Sequence, residues 1–290
     1  MSHPSASASS PIRLGIVILP EDRWSVMQER WVAAEEYGFG HAWTYDHLTW
    51  QMFRDKPWFG AIPTLTAAAM VTSQIRLGTL VASPNFRHPV PFAKESMTLD
   101  DVSLGRLVLG IGAGGDGWDA TALGLSIWSP AERADRFAEF VRLLDRLLRE
   151  SETSHSGEFY SADGARALPG SVQQPRIPFA IAANGPRGMR LAIEIGETWV
   201  TTDDRGSESD DIARLDDLCD KAGRSPESLS RLVLTGFSNS PLRSISEFED
   251  VAGRYAEAGF TDMVIHWPRE TGPFEGSREV LERIASEYLG

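Results

Sequence analysis

The chain has 290 residues, of which 42% are hydrophobic and 24% are charged, a composition typical of a soluble globular protein. Its 41 acidic and 28 basic side chains give a formal net charge of −13, which argues against nucleic acid or an anionic membrane surface as the main partner. Cys219 is the only cysteine, so an internal disulfide and a thiolate metal cluster are both excluded. No apolar run is long enough to span a bilayer.

The first eleven residues are rich in serine and lack the apolar segment of a signal peptide, so we expect a disordered tail and a cytoplasmic protein. Strand and helix patterns alternate after this tail. Short apolar runs predict strands at 13–18 and 41–45, and the helix between them ends near Gly38. A long aromatic loop follows, and then a helix over residues 63–73.

Residues 76–116 form the most informative stretch of the sequence. Apolar runs at 77–81 and 107–111 flank a proline-rich loop and a helix, and a glycine cluster follows the second run. The next helix begins at Ser129-Pro130 and carries large apolar residues at helical spacing. Residues 151–178 show little periodicity, so we expect either a functional loop or a small hairpin there.

The remaining patterns complete a repeated unit. They predict a helix over 186–195, a closing helix over 277–288, and strands at 179–183, 198–201, 232–235 and 263–266. Eight β-then-α units predict the α/β class and a (β/α)8 TIM barrel, with insertion segments at its C-terminal face. A doubly wound sheet would show a glycine fingerprint after its first strand, and residues 19–22 contain no glycine. We therefore expect one domain over residues 12–290.

Ligand chemistry in such barrels lies at the carboxyl ends of the strands. Asp46 and His47 follow the second strand, where a histidine beside a carboxylate can move a proton or orient a flavin carbonyl. The same pair is equally consistent with a helix cap and a solvated loop histidine.

Two other turns have the composition of ligand-binding loops. The glycine cluster Gly112-Ala113-Gly114-Gly115-Asp116 allows close approach of a ring or phosphate to the backbone, although a flexible turn would look alike. Asn184-Gly185-Pro186-Arg187 precedes a helix, whose free N–H groups favour an anion; an ordinary strand-to-helix turn is the alternative.

The aromatic loop carries Trp50, Phe53 and Trp58, which we expect to cover a substrate pocket or else to pack against a neighbouring subunit. His88, His155 and His266 are isolated in the sequence, and each is expected to be structural. No residue spacing resembles a metal site.

These sequence elements, in this order and on a predicted barrel, resemble those of the luciferase-like flavin monooxygenase superfamily. Within that superfamily, the F420-dependent oxidoreductases are the most similar group. The segments that carry the resemblance are WTYDH (43–47), LGTLVASPNFRHP (77–89), GRLVLGIGAG (105–114), HSGEFY (155–160) and AANGP (182–186). The resemblance covers about residues 12–200.

The resemblance implies roles for individual residues. Asp46 and His47 would touch the flavin ring or the substrate, and a non-prolyl cis peptide would join Leu80 and Val81 against the ring. Thr79 belongs to the same element, Gly112, Ala113 and Gly114 would flank the ring, and Asn184, Gly185, Pro186 and Arg187 would hold the phosphate-bearing tail. Arg54, Lys56 and Arg87 are further candidates to surround an anionic tail.

One position departs from the family pattern. Some deazaflavin sugar dehydrogenases place a glutamate acid just after the glycines of the fourth strand, and the matching residue here is Gly115. Either Asp116 replaces that acid, or the acid is absent and the substrate is not a sugar. His47 is the stronger candidate for the acid or base.

The resemblance implies an oxidoreductase that transfers hydride between F420 and a small organic substrate, in a homodimer. The alternatives are an FMNH2-dependent monooxygenase with FMN as cofactor, a non-catalytic flavin-binding barrel, and an unrelated barrel enzyme that acts on a phosphorylated metabolite.

Overall fold

In the computed structural model, which describes residues 12–115, 118–206 and 208–289, eight parallel strands close into a barrel. The order around the barrel is β1, β2, β3, β4, β7, β8, β9 and β10. The strands are β1 (Arg13–Val17), β2 (His41–Thr44), β3 (Arg76–Ala82), β4 (Leu107–Gly112), β5 (Glu152–Ser156), β6 (Ser161–Arg166), β7 (Phe179–Ala182), β8 (Thr198–Thr202), β9 (Ser230–Leu234) and β10 (Asp262–His266). The predicted (β/α)8 barrel is confirmed.

Helices connect successive barrel strands and cover the outside of the sheet. They are α1 (Trp24–Glu36), α2 (Ala61–Val71), α3 (Pro89–Val102), α4 (Trp118–Ala122), α5 (Pro130–Arg149), α6 (Pro186–Ile195), α7 (Glu208–Ala222), α8 (Ile245–Ala258) and α9 (Arg278–Ile284). Helix α5 begins with a capping box, in which Ser129 and Glu132 bind each other's backbone N–H groups. Its buried face carries the apolar residues whose spacing predicts the helix.

Helix boundaries follow the local signals closely. Helix α6 has the bounds expected from the sequence, because Pro186 occupies its first turn and the chain leaves helical geometry at Gly196. Helix α2 begins two residues earlier than predicted, since Gly60 serves as its N-cap and Pro63 still lies in the first turn. The closing helix α9 continues as a π-helix over Ala285–Leu289.

The insertion after α5 contains an antiparallel hairpin of β5 and β6, one of the two outcomes expected for it. The Glu139 carboxylate on α5 accepts hydrogen bonds from the backbone N–H groups of Glu158, Phe159 and Tyr160 and contacts Nε2 of His155 at 3.1 Å. These bonds fix the turn between β5 and β6 to the middle of α5.

Strands β3 and β4 approach closely at a glycine. A Cβ atom on Gly110 would lie 1.9 Å from the carbonyl oxygen of Thr79, so no other residue fits without backbone movement. The register of the pairing between β3 and β4 shifts just beyond this point, between Thr79 and Ala82. Within the described ranges, no helix is both long enough and apolar enough to cross a membrane. The predicted N-terminal tail, residues 1–11, lies outside those ranges.

Candidate active site

A cavity of about 1240 Å³ opens at the carboxyl ends of the barrel strands. Its floor is formed by residues at the ends of β2, β3, β4, β7, β8 and β9, and its side walls come from α5 and α6. Both the position and the size suit a large ligand, since cofactor sites of this fold lie at this face.

Most residues predicted for the site line this one cavity, although they come from four separate segments of the chain. They are His47, Trp50, Leu80, Val81, Gly112, Ala113, Gly114, Asn184, Gly185, Pro186 and Arg187. The fold therefore brings together the histidine, the glycine cluster and the turn before α6.

Asp46 and Thr79, both predicted as cofactor contacts, do not line the cavity. The buried Asp46 carboxylate accepts two hydrogen bonds from the guanidinium of Arg87, at 2.8 and 2.9 Å. Burial raises the pKa of the Asp46 carboxyl, and those hydrogen bonds oppose the increase. The Thr79 hydroxyl donates to the Gly110 carbonyl at 2.8 Å on the neighbouring strand. The Asp46 carboxylate and the Thr79 hydroxyl thus both have hydrogen-bond partners behind the cavity wall.

Phe53 and Trp58 also lie behind the wall, whereas Trp50 reaches the cavity. The Trp50 and Phe53 rings stack with centroids 5.4 Å apart, and the Trp58 indole N–H donates to the carbonyl of His47 at 3.0 Å. Of the three residues predicted for the substrate pocket, Trp50 lines the cavity, and Phe53 and Trp58 support Trp50 and His47 from outside it.

Four cations are predicted to surround an anionic tail, and only one of them, Arg187, lines the cavity. Arg87 pairs with Asp46 and Glu95, while Arg54 and Lys56 lie over aromatic rings of Trp118 and Phe53. None of these three lines the cavity, whereas Arg187 does. Asp116, the other predicted catalytic residue, lies outside the described residues.

The peptide bond between Leu80 and Val81 is cis, which confirms the geometry implied by the family resemblance. Both side chains line the cavity floor. Opposite them, Gly112 leaves room for Val81: a Cβ atom on Gly112 would lie 2.6 Å from a Val81 methyl group.

Two glycines give the cavity flat walls. At Gly115 and at Gly185 a Cβ atom would find no atom within 4 Å, so any side chain there would project into open space. Backbone without side chains on both sides of an apolar floor is the arrangement that a planar ring requires for close approach. The residues present therefore fit a flavin or deazaflavin.

The turn before α6 offers a polar end to the cavity. Gly185 is the N-cap of α6 and makes no side-chain cap, which leaves backbone N–H groups available at the helix N-terminus. Arg187 forms an ion pair with Asp135 across the cavity mouth. Arg190 also lines the cavity and takes part in none of the ion pairs found among the described residues. An anion bound here would meet an unpaired cation and a helix N-terminus.

His47 is held by a carboxylate that the sequence does not associate with it. The Nδ1 atom of His47 lies 2.7 Å from Oδ2 of Asp119 in α4, and Oδ1 of Asp119 accepts the backbone N–H of Leu48 at 2.7 Å. The Asp119 side chain is buried. When Nδ1–H donates to Asp119, the Nε2 atom of a neutral His47 is left to accept or return a proton.

Comparisons with known proteins agree with this geometry. Residues 4–269 match the luciferase-like monooxygenase family. An F420-dependent glucose-6-phosphate dehydrogenase of Microbacterium testaceum is 32% identical over 72% of this chain and 63% of its own length. A 5,10-methylenetetrahydromethanopterin reductase of Methanopyrus kandleri is 28% identical over 78% of this chain and 66% of its own length. The chain therefore aligns with less than two thirds of either relative.

Among solved structures, an F420-dependent secondary alcohol dehydrogenase in complex with an F420–acetone adduct superposes with a TM-score of 0.79. The alignment covers 89% of this chain and 93% of that one, at 18% sequence identity. This likeness shows that the two chains share a fold.

Proposed function

Because the chain belongs to the luciferase-like monooxygenase family, we propose that it is an oxidoreductase that transfers hydride between F420 and a small organic substrate. The observation that carries the proposal is the flat-walled cavity with His47 at its edge, held by Asp119. The names of the relatives favour F420 as the cofactor.

Bound F420 would supply the centre that gives or takes hydride. The chain's own residues have four tasks around it. Leu80 and Val81 form an apolar floor, Gly112 to Gly115 and Gly185 leave the flat walls, and Trp50 helps to exclude water. His47 holds or moves a proton at Nε2, and Asp119 keeps the imidazole in the tautomer that permits this.

The absence of an acidic side chain at position 115, which is Gly115, affects which substrate the site is expected to accept. The side of the cavity where the resemblance places a glutamate is open here. We propose a substrate other than a sugar phosphate, such as a small alcohol or carbonyl compound, for which His47 serves as the acid or base.

A second candidate is an FMNH2-dependent monooxygenase, which the description of the matching family favours. The discriminating experiment is separate titration of the purified protein with F420 and with FMN, followed by fluorescence quenching. Tight binding of F420 without oxygen consumption is expected. Binding of FMN alone, with oxygen consumption on reduction, would support the monooxygenase, and binding of neither would contradict both candidates.

Substrates are then tested with three probes: isopropanol, glucose 6-phosphate and methylenetetrahydromethanopterin. We expect reduction of F420 by the alcohol and little or none by the sugar phosphate. Turnover of glucose 6-phosphate at a rate comparable to the alcohol would contradict the role assigned to the missing acid at Gly115.

Replacement of Arg190 by alanine is expected to weaken F420 binding by about 10- to 100-fold, because a charge-assisted hydrogen bond contributes about 1.5–3 kcal/mol and 1.4 kcal/mol is a factor of ten. Arg149→Ala is the matched control: this exposed arginine of α5 pairs with Asp145 and does not line the cavity. Titrations at low and high salt measure the effect. An unchanged Kd for Arg190→Ala would remove the proposed anion site.

We also propose that the protein is a cytoplasmic homodimer with no nucleic-acid partner. The formal net charge of −13 supports the last point, since it repels a polyanion. Light scattering of the purified protein measures the oligomeric state.

A further inference from the structure

Tyr45 and His266 form a buried pair that the proposed mechanism does not use. Tyr45 follows β2 and His266 ends β10, so the two residues flank β1 at the carboxyl end of the barrel. The Tyr45 hydroxyl lies 2.8 Å from Nε2 of His266. The fold joins them although 221 positions separate them in the sequence.

Each member of the pair faces a different cavity. Tyr45 lines the candidate active site, and His266 does not. His266 lines a second cavity of about 150 Å³ together with Gly236, Asn239 and Phe274. This volume has room for several water molecules, since one occupies about 30 Å³ in the liquid. The hydrogen bond between the two side chains therefore links the wall of the active-site cavity with the wall of the second cavity.

The outer nitrogen of the imidazole is buried beside the second cavity. Among the described residues, no group meets the hydrogen-bond geometry at Nδ1 of His266, and the backbone of Thr235 lies close enough to raise the pKa of the imidazole. This nitrogen lies beside Gly236, where a Cβ atom would come within 2.8 Å of Nδ1, so the glycine keeps that side of the ring open. A buried polar atom without a protein partner in hydrogen-bond geometry points to a bound water in the second cavity.

Packing holds the ring in place and neutral. Phe274 stacks on His266 with ring centroids 3.5 Å apart, and Phe237 meets it edge to face. Burial lowers the pKa of His266 to about 3 and raises that of Tyr45 well above its usual value. The charged groups that affect the pair are Arg269 for His266, and Asp203 and Asp204 for Tyr45.

We propose that Tyr45 and His266 form a proton relay between the candidate active site and the water of the second cavity. In the inward direction, Tyr45 O–H gives its proton to an acceptor in the active site and takes the proton of Nε2, while Nδ1 takes one from a water molecule that solvent reprotonates. One proton moves inward, both side chains remain neutral, and His266 changes tautomer. The reverse shift carries a proton outward and restores the first tautomer, and the proton for this reset comes from water at the open mouth of the active-site cavity.

The relay rests on the proposed function in one respect: oxidation or reduction of an alcohol or carbonyl group by hydride transfer also releases or consumes a proton. The active-site cavity has an open, polar mouth, and the relay would give that proton a second route. His47 supplies one acceptor or donor within the cavity, and the relay would connect the cavity with solvent on the side of β10.

The test is ¹⁵N NMR of the full chain labelled at histidine, without cofactor, with His266 assigned by the signals lost in His266→Gln. We expect both ring nitrogens of His266 to show shifts between the protonated and unprotonated values from pH 6 to 8, because the tautomers exchange. In Tyr45→Phe, one fixed tautomer should replace this average. Tyr160→Phe is the matched control, since it removes a buried hydroxyl that binds Arg136 instead.

A single fixed tautomer in the wild-type protein would overturn the relay, and this result needs no variant to fold. An unchanged His266 spectrum in Tyr45→Phe would overturn it as well. In the F420-loaded protein with isopropanol as probe, Tyr45→Phe should lower kcat about tenfold and leave KM unchanged. Failure of F420 to bind would contradict the proposed function without affecting the NMR result, so the two failures are distinguishable.

Discussion

Replacement of His47 by glutamine is expected to lower kcat for hydride transfer by between about 10²- and 10⁴-fold, the usual contribution of a positioned general acid or base. Glutamine preserves a polar side chain of similar length but cannot take up a proton at the position of Nε2. The Kd for F420 should change little, because the floor and the glycine walls do not depend on the imidazole. Stopped-flow absorbance of F420 measures the rate, and fluorescence quenching measures the binding.

The matched control for this variant is His88→Asn. His88 is the N-cap of α3, where its side chain accepts the N–H of Val90, and asparagine can make the same bond. It does not line the cavity, so kcat should be unchanged. A His47→Gln enzyme with wild-type kcat would remove His47 from the mechanism and transfer the proton chemistry to another group.

The barrel could be predicted from the sequence because its signals are local. Short apolar runs mark buried parallel strands, and helix α5 is evident from the apolar spacing and from the Ser129-Pro130 start. The glycine cluster and the turn before α6 could be located for the same reason. Both segments lie at the ends of strands, where any barrel of this type collects them into one face.

The contacts that organise the site could not be predicted, because they join distant parts of the chain. Asp119 lies 72 positions from His47, and no spacing rule connects them. Adjacent residues in the sequence also do not always face the same side of the structure. Asp46 and His47 are adjacent, yet the first is bound by Arg87 behind the wall and only the second lines the cavity. The sequence pattern identifies the segment but not which side chain faces inward.

Replacement of Asp119 by asparagine is expected to lower kcat about 10²-fold without weakening F420 binding. The buried environment determines the orientation of the new amide. The N–H of Leu48 requires an acceptor, so the amide oxygen should remain at the position of Oδ1 and the NH2 group should point at His47. Nδ1 must then accept a hydrogen bond, which places the ring proton on Nε2 and removes the acceptor from the cavity.

A ¹⁵N spectrum of histidine-labelled protein detects this change directly, since Nδ1 and Nε2 of His47 should exchange their protonated and unprotonated shifts in Asp119→Asn. The control is Asp262→Asn, which alters the other buried histidine–aspartate pair, His41 and Asp262, where β2 and β10 begin. That variant should lower thermal stability but not kcat. A normal His47 tautomer together with a reduced kcat would mean that Asp119 acts through its charge and not through the orientation of the imidazole.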